Sequence, residues 1–481
     1  MMNETNIIVI GNGFDLAHEL PTEYMDFLTF CKMIKALYNR TEDETKEVIW
    51  DNLGIKLKKQ KNITRLKQKF LELYCVGTVG ENDSSIKIDE PYDELYCMVK
   101  DNVWIEYFLK NPLYQKENWI DFESEISRVI QAIDDDIMHQ NAEDSTVVSR
   151  ISIPFLEKYL LDNYDERVQI RADEFYKTVA DENLSMQEYA KNASEYEEAY
   201  PIEIEKEEIT YKDLVEILEL DLNRLNRALE IYLTEYVGKM ECNLRSPDIE
   251  EIAVKRSGNS VRISKVISFN YTDTYEKMYL PKQKKELIGE CIDYIHGKAK
   301  VDNTVEDNAL VLGIDEYLPP ERKNIDTRFI SFKKYYQRIY KETGCRYKEW
   351  VDAIKADYLD FLQRQEIVRS QKKLTHSSNL NTTLYDLEAK NLEKEKCSIH
   401  NLYIFGHSLD ITDKDVLREL MLNDNVHTVI FYHNKQAMKQ QIANLVKLIG
   451  QGELIKRTGG KAKTIEFRRQ REMQEINNFN A

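Results

Sequence analysis

Two kinds of hydrophobic pattern alternate along this chain. The first is a short apolar run bounded by polar or turn residues: Ile7-Ile8-Val9-Ile10 follows Asn6, and similar runs lie at Lys265–Phe269, Tyr294-Ile295, Ala309–Gly313, Leu402–Gly406 and Val426–Phe431. Successive β-branched residues without polar alternation suit strands buried on both faces, as in a parallel sheet. The second pattern repeats at three- and four-residue spacing, which puts apolar side chains on one face of a helix. Tyr24, Phe27, Leu28, Cys31, Ile34, Leu37 and Tyr38 make one such series, and Leu218, Leu222, Leu225, Leu229, Tyr232 and Tyr236 make a longer one. An amphipathic helix begins within Trp119–Ile126, and another is predicted over 436–448.

Strands separated by helical blocks predict an α/β fold with a mostly parallel sheet and large helical insertions. The sheet-bearing core is expected over 1–30, 119–135, 262–320 and 398–470, and the insertions over 31–118, 136–261 and 321–397. The acidic stretch Glu195–Glu208, interrupted by Pro201, reads as an exposed connection, and a loop is expected near Thr375–Thr383. A length of 481 residues exceeds what one simple core organises.

Composition narrows the partners. A formal charge of -18 opposes unspecific binding to nucleic acid or anionic lipid. The basic stretch Lys456-Arg457, Lys461, Lys463, Arg468, Arg469 and Arg471 reads as a solvated charged tail. No signal-peptide pattern and no membrane-length apolar segment is seen, so a cytoplasmic location without membrane contact is expected. Seven scattered cysteines, none in Cys-x-x-Cys spacing, indicate neither a disulfide framework nor a zinc ribbon. The lone Cys397-x-x-His400 pair reads as structural, and no metal is expected.

Polar motifs follow the predicted strands, where the loops of a parallel sheet gather ligands. Gly11-Asn12-Gly13-Phe14-Asp15 suits a nucleotide-binding turn, because glycines let backbone approach a phosphate and a following helix presents its N–H groups. A dehydrogenase fingerprint would need a third glycine, and Leu16 occupies that place. Ser268-Phe269-Asn270-Tyr271-Thr272-Asp273, Ile295-His296-Gly297-Lys298, Gly313-Ile314-Asp315-Glu316 and Gly406-His407-Ser408-Leu409-Asp410-Ile411-Thr412-Asp413 supply four further loops. Singly, each has a plain alternative: Asn270 as a turn residue, His296 as an ordinary hydrogen-bonded histidine, Asp410 and Asp413 as helix caps.

Jointly, these motifs resemble the bacterial abortive-infection AbiH family over nearly the whole chain, with the Trp119–Glu125 segment in support. More distantly, their order is similar to sirtuins and the sirtuin-like NAD hydrolases of phage defence, which read Gly-Ala-Gly, Asn-x-Asp, His-Gly and Gly-x-Ser on a Rossmann-like sheet. The resemblance implies a sirtuin-like core with Asn270 and His296 as the catalytic pair and NAD as substrate. It implies cofactor contacts from Gly11, Asn12, Gly13, Phe14, Asp15, Thr272, Asp273, Gly406, Ser408 and Asp410. Asn270, His296, Gly13 and Ser408 should then line one cleft. Thr272 stands where those relatives carry the acid of Asn-x-Asp, with Asp273 one residue later, so Asp15 or Asp315 is a candidate substitute. The paired zinc-binding cysteines of protein deacylases are missing.

Three function classes follow. The leading one is an antiphage effector that hydrolyses NAD to nicotinamide and ADP-ribose. A nucleotide-binding signalling module without turnover is the second. A toxic nuclease using Asp15, His18 and His407 is the third, and the acidic balance offers it no electrostatic track. Control by self-association or by a phage-derived trigger is expected to act through the helical blocks.

Overall fold

The computed structural model describes residues 4–41, 43–76, 88–117, 119–161, 209–257, 260–280, 288–375, 396–461 and 463–476. The acidic connection at 195–208 and most of the loop at 375–383 lie outside them. The chain forms a mixed α/β structure in two compact units, one of residues 1–23, 230–311 and 337–481, the other of 24–229 and 312–336.

The first unit carries the sheet. Its strands are β1 (Asn6–Ile10), β2 (Lys265–Ser268), β3 (Ile292–Tyr294), β4 (His400–Phe405), β5 (Val426–Tyr432) and β6 (Ile465–Arg469). They lie in the order β3-β2-β1-β4-β5-β6, and every neighbouring pair is parallel. Side chains alternate between two cores, as the strand period requires. Ile7, Val9, Ile267, Leu402, Ile404 and Ile430 pack on one face, Ile8, Ile10, Val266, Phe405, Val429 and Phe431 on the other. Both faces are covered, which is why the strands read as continuous apolar runs.

Helices of this unit include α1 (Asn12–Ala17), α2 (Thr274–Tyr279), α3 (Tyr347–Thr375), α4 (Lys414–Met421), α5 (Lys435–Ile449) and α6 (Gln451–Thr458). Residues of α3 to α6 pack on the first face, and Tyr275, Met278 and Tyr279 of α2 on the second. The second unit is mostly helical where described, with an irregular segment over 312–329. Its order comes from buried polar bonds as well as apolar contact: Trp104 Nε1 donates to Leu218 O at 2.8 Å, and Asp221 accepts the Val103 N–H at 2.9 Å. Phe122 stacks on both Tyr24 and Phe108, with ring centroids 4.1 and 4.2 Å apart.

Two expectations are corrected. Ala309–Gly313 is not a strand. The Val311 N–H bonds to His296 O at 2.9 Å and its carbonyl accepts the Tyr271 hydroxyl at 3.0 Å, so Leu310 and Val311 form a buried loop beside β3 without a ladder. A short apolar run signals burial and leaves the backbone pairing open. The basic C-terminal stretch is not a tail. It builds α6 and β6, with Leu454 and Ile465 in the core and Arg457 buried against Glu453 and Asp424.

The loops after the two central strands meet backbone to backbone. Gly13 N donates to Gly406 O at 2.7 Å, and a Cβ on Gly13 would sit 2.8 Å from that oxygen. Gly406 has φ +67°, and a Cβ there would overlap Phe14 N. Only glycine satisfies both the left-handed backbone and the close approach. Gly406→Ala is therefore expected to lower stability by more than about 2 kcal/mol, the penalty of left-handed alanine plus the clash. A chemical denaturation curve within ~0.5 kcal/mol of wild type would contradict this.

Candidate functional site

The loop leaving β2 turns immediately: Ser268 Oγ accepts the Asn270 N–H at 3.2 Å, and Asn270 is buried. Neither Oδ1 nor Nδ2 of Asn270 has a hydrogen-bond partner. A buried primary amide whose two ends meet no protein group has a donor and an acceptor left for water or a bound molecule.

His296 follows β3, and His407 follows β4. Both are buried, and both turn toward Asp413: His296 Nε2 lies 3.3 Å from Asp413 Oδ1, and His407 Nε2 lies 3.4 Å from Asp413 Oδ2. The Phe269 ring makes edge contacts with both imidazoles, 4.5 Å from His407 and 5.4 Å from His296 by ring centroid. Asn270's neighbour in sequence thus forms a wall of the histidine pair.

Asp15 is buried in α1 and accepts the Thr272 hydroxyl at 2.6 Å, while Thr274 Oγ1 donates to Thr272 Oγ1 at 3.1 Å. Burial raises the Asp15 carboxyl to about 6, against the hydroxyl bonds that lower it. His18, on the turn that ends α1, is placed otherwise. Its Nδ1 contacts Phe14 O at 2.7 Å and its Nε2 the Tyr279 hydroxyl at 2.9 Å, and burial pushes the imidazole down to about 4. That histidine is a neutral core residue at physiological pH and a poor acid–base group.

Of the two acids that could accompany the Asn270 loop, Asp15 is bonded to Thr272 on that loop. Asp315 lies in the other unit. Asp273 pairs with Lys277 at 2.8 Å. Phe14 is a core side chain packed against Tyr275, Tyr279 and Phe405. Asn12 is exposed and accepts the Thr22 hydroxyl at 2.6 Å. Ser408 is exposed, its carbonyl held by Asn444 at 2.9 Å, and Asp410 accepts the Thr412 N–H at 3.1 Å as a turn cap. The Gly11 and Gly13 N–H groups are spent on Phe405 O and Gly406 O. Outside this region, His400 accepts the Thr5 N–H and faces Asp357, in keeping with a structural histidine.

A cavity of about 430 Å³ adjoins this region, lined by Thr272, Asp273, Thr274, Lys277, Met278 and Lys300 among others. Asn270, His296, Gly13 and Ser408 are not among its lining residues. Among the described residues, no group of three or more His, Cys, Asp or Glu side chains is arranged to hold a metal ion. No described helix is long and apolar enough to cross a membrane.

Sequence reasoning treated Asp413 as a cap and gave Phe269 no role. The available signal was the spacing of two acids, Asp410 and Asp413, where a single cap suffices for one short turn.

Among known proteins, a family model described as bacteriophage abortive infection AbiH matches residues 7–433. No curated protein and no solved structure matches the chain. The matched span contains Asp15, Asn270, His296 and Asp413.

Of these four, Asp15 has a direct thermodynamic signature. Its folded carboxyl titrates near 6 against an ordinary 3.8, so the fold binds this proton more tightly than the unfolded chain does. Its contribution to stability is fully present below the unfolded value and is lost as pH rises through about 6. Asp15→Asn, which cannot ionise, should gain on wild type by on the order of 2–3 kcal/mol between acid and neutral conditions. Denaturation of both proteins on either side of that window measures the gain, and an unchanged difference contradicts it.

Proposed function

The chain belongs to the bacteriophage abortive infection AbiH family, and we propose that it acts there as an effector hydrolysing the nicotinamide–ribose bond of NAD. One observation carries the reading: the buried Asn270 amide with unmatched donor and acceptor, on the loop that also brings Phe269 against His296. A substrate hydroxyl and an attacking water are groups that such an amide can orient.

The strand order supports a dinucleotide. Renumbered within the sheet alone, β3-β2-β1-β4-β5-β6 is the 3-2-1-4-5-6 order of doubly wound, Rossmann-like nucleotide-binding sheets. Their ligands bind outside the carboxyl ends of the strands, where the Asn270, His296 and Ser408 loops begin. In this reading the glycine turn contributes shape, since the Gly13 N–H is already committed to Gly406.

The chemistry asks little of the protein. When the C1′–N bond breaks, nicotinamide leaves as a neutral molecule with the electron pair, and the ribose gains oxocarbenium character. Water forms the new bond to C1′ and gives its proton to His296. Asn270 positions water and ribose, and no strong acid is needed on the leaving group. The nuclease alternative loses His18, which burial keeps neutral.

Nicotinamide release by the purified protein, together with cellular NAD during phage infection of an expressing host, tests the reading. Asn270→Ala and His296→Ala should each lower turnover by at least ~100-fold with a melting temperature near wild type. A folded wild-type protein that releases no nicotinamide, in a host whose NAD stays level through infection, sinks it. Thermal stabilisation by NAD without turnover would point to a binding module.

A further inference from the structure

The cavity of about 430 Å³ lies wholly within the sheet-bearing unit, and two of its walls continue the loops that carry Asn270 and His296. Thr272, Asp273 and Thr274 form one, and Ala299 to Asp302 the other. They are joined where Ala299 N donates to Tyr271 O at 2.8 Å. A third wall comes from the π-helical turn Tyr232–Tyr236 and the tight helical turn Val237–Lys239 after it, and π-helical turns are a rare backbone form that recurs at functional sites. Lys277 Nζ donates to Gly238 O at 3.3 Å and ties this wall to α2. The volume falls in the range of small-molecule pockets, about 300–1,000 Å³.

The lining restricts what can bind. Its two lysines, Lys277 and Lys300, are matched by two aspartates, Asp273 and Asp302, and Lys277 pairs with Asp273 at 2.8 Å. An anion would meet both carboxylates and a cation both ammonium groups, so the cavity suits an uncharged molecule. The threonine protons are spent: Thr234 Oγ1 donates to Glu230 O at 2.9 Å, Thr274 Oγ1 to Thr272 Oγ1 at 3.1 Å, and Thr272 Oγ1 to Asp15 Oδ2 at 2.6 Å. Asp15 is ionised above about pH 6 and then only accepts, which fixes the direction of that chain. Thr234 and Thr274 therefore offer lone pairs, and a ligand must bring the N–H or O–H groups. Leu20, Leu233, Val237, Met240, Met278 and Val301 supply an apolar surface, and methionine sulfur favours contact with an aromatic ring.

We propose that this cavity binds an uncharged nucleoside, with its base against Met240 and Met278 and the N–H and O–H groups of base and sugar directed to Thr234 and Thr274. Neither Asn270 nor His296 lines the cavity, so binding here does not require that NAD be cleaved.

Adenosine is the probe. Calorimetric titration of the full chain at neutral pH should give saturable binding, and AMP, which adds an anionic phosphate, should bind at least about tenfold more weakly. Cys242 lines the cavity, so saturating adenosine should slow its alkylation by iodoacetamide, followed by mass spectrometry of its peptide, and leave the exposed Cys75 and Cys97 unchanged. Val301→Trp puts an indole on the exposed rim and Thr274→Val removes an acceptor, and each should weaken adenosine binding by about tenfold. A folded wild type that does not bind adenosine, AMP bound as tightly as adenosine, a Cys242 rate unmoved by adenosine, or two variants that bind as wild type does would each overturn the proposal. If Thr274→Val does not fold, Val301→Trp and the protection of Cys242 decide. If adenosine binds as stated while no nicotinamide is released from NAD, the NAD reading falls and the nucleoside site stands.

Discussion

The backbone-to-backbone contact between Gly13 and Gly406 is the constraint on which the site's geometry depends. The loops leaving β1 and β4 approach so closely that a Cβ on Gly13 would sit 2.8 Å from Gly406 O and one on Gly406 would overlap Phe14 N, so neither position can carry a side chain. The absence of a side chain at each lets the Gly13 amide bond the Gly406 carbonyl, which ties the two loops together. From that junction α1 sets off with Asp15 inward, and the β4 loop continues to His407 and Asp413. Leu409, buried with φ +60°, continues the same loop, whose His407 carbonyl accepts a hydrogen bond from Gln441 on α5.

Much of the fold was legible because burial on both faces leaves a plain trace. The runs at β1, β2, β4 and β5 and the helix at 435–449 needed no tertiary information beyond an apolar pattern with the right period. β6 was hidden for the opposite reason. Ile465-Glu466-Phe467-Arg468-Arg469 is an edge strand whose exposed arginines gave it the composition of a charged tail. Leu310 and Val311 misled in the other direction, since a loop can be buried when each backbone group finds a single partner.

The site was legible as a set of loops and only partly as a set of roles. Parallel strands deliver their following loops to one edge, so Asn270, His296 and the Gly406 loop could be grouped from sequence alone. Roles depend on where side chains point, which the order of motifs does not encode. Phe14 turned into the core, Asp410 capped a turn, and Asp413, at the start of a helix, lay against two histidines instead of bonding the helix's N–H groups. The join between Asp15 and Thr272 bridges residues 257 positions apart, and no local pattern announces it.

Asp15 and His18 sit one helical turn apart and are shifted in opposite senses by the same cause, burial in an apolar surround. Between about pH 4 and 6 the folded chain keeps the proton on Asp15 and leaves His18 bare, whereas the unfolded chain does the reverse. Folding of this turn therefore exchanges one proton between a carboxyl and an imidazole and takes up none from solution. Two costly buried groups, each of which alone would make the glycine turn sensitive to acidity, together leave it indifferent across that range.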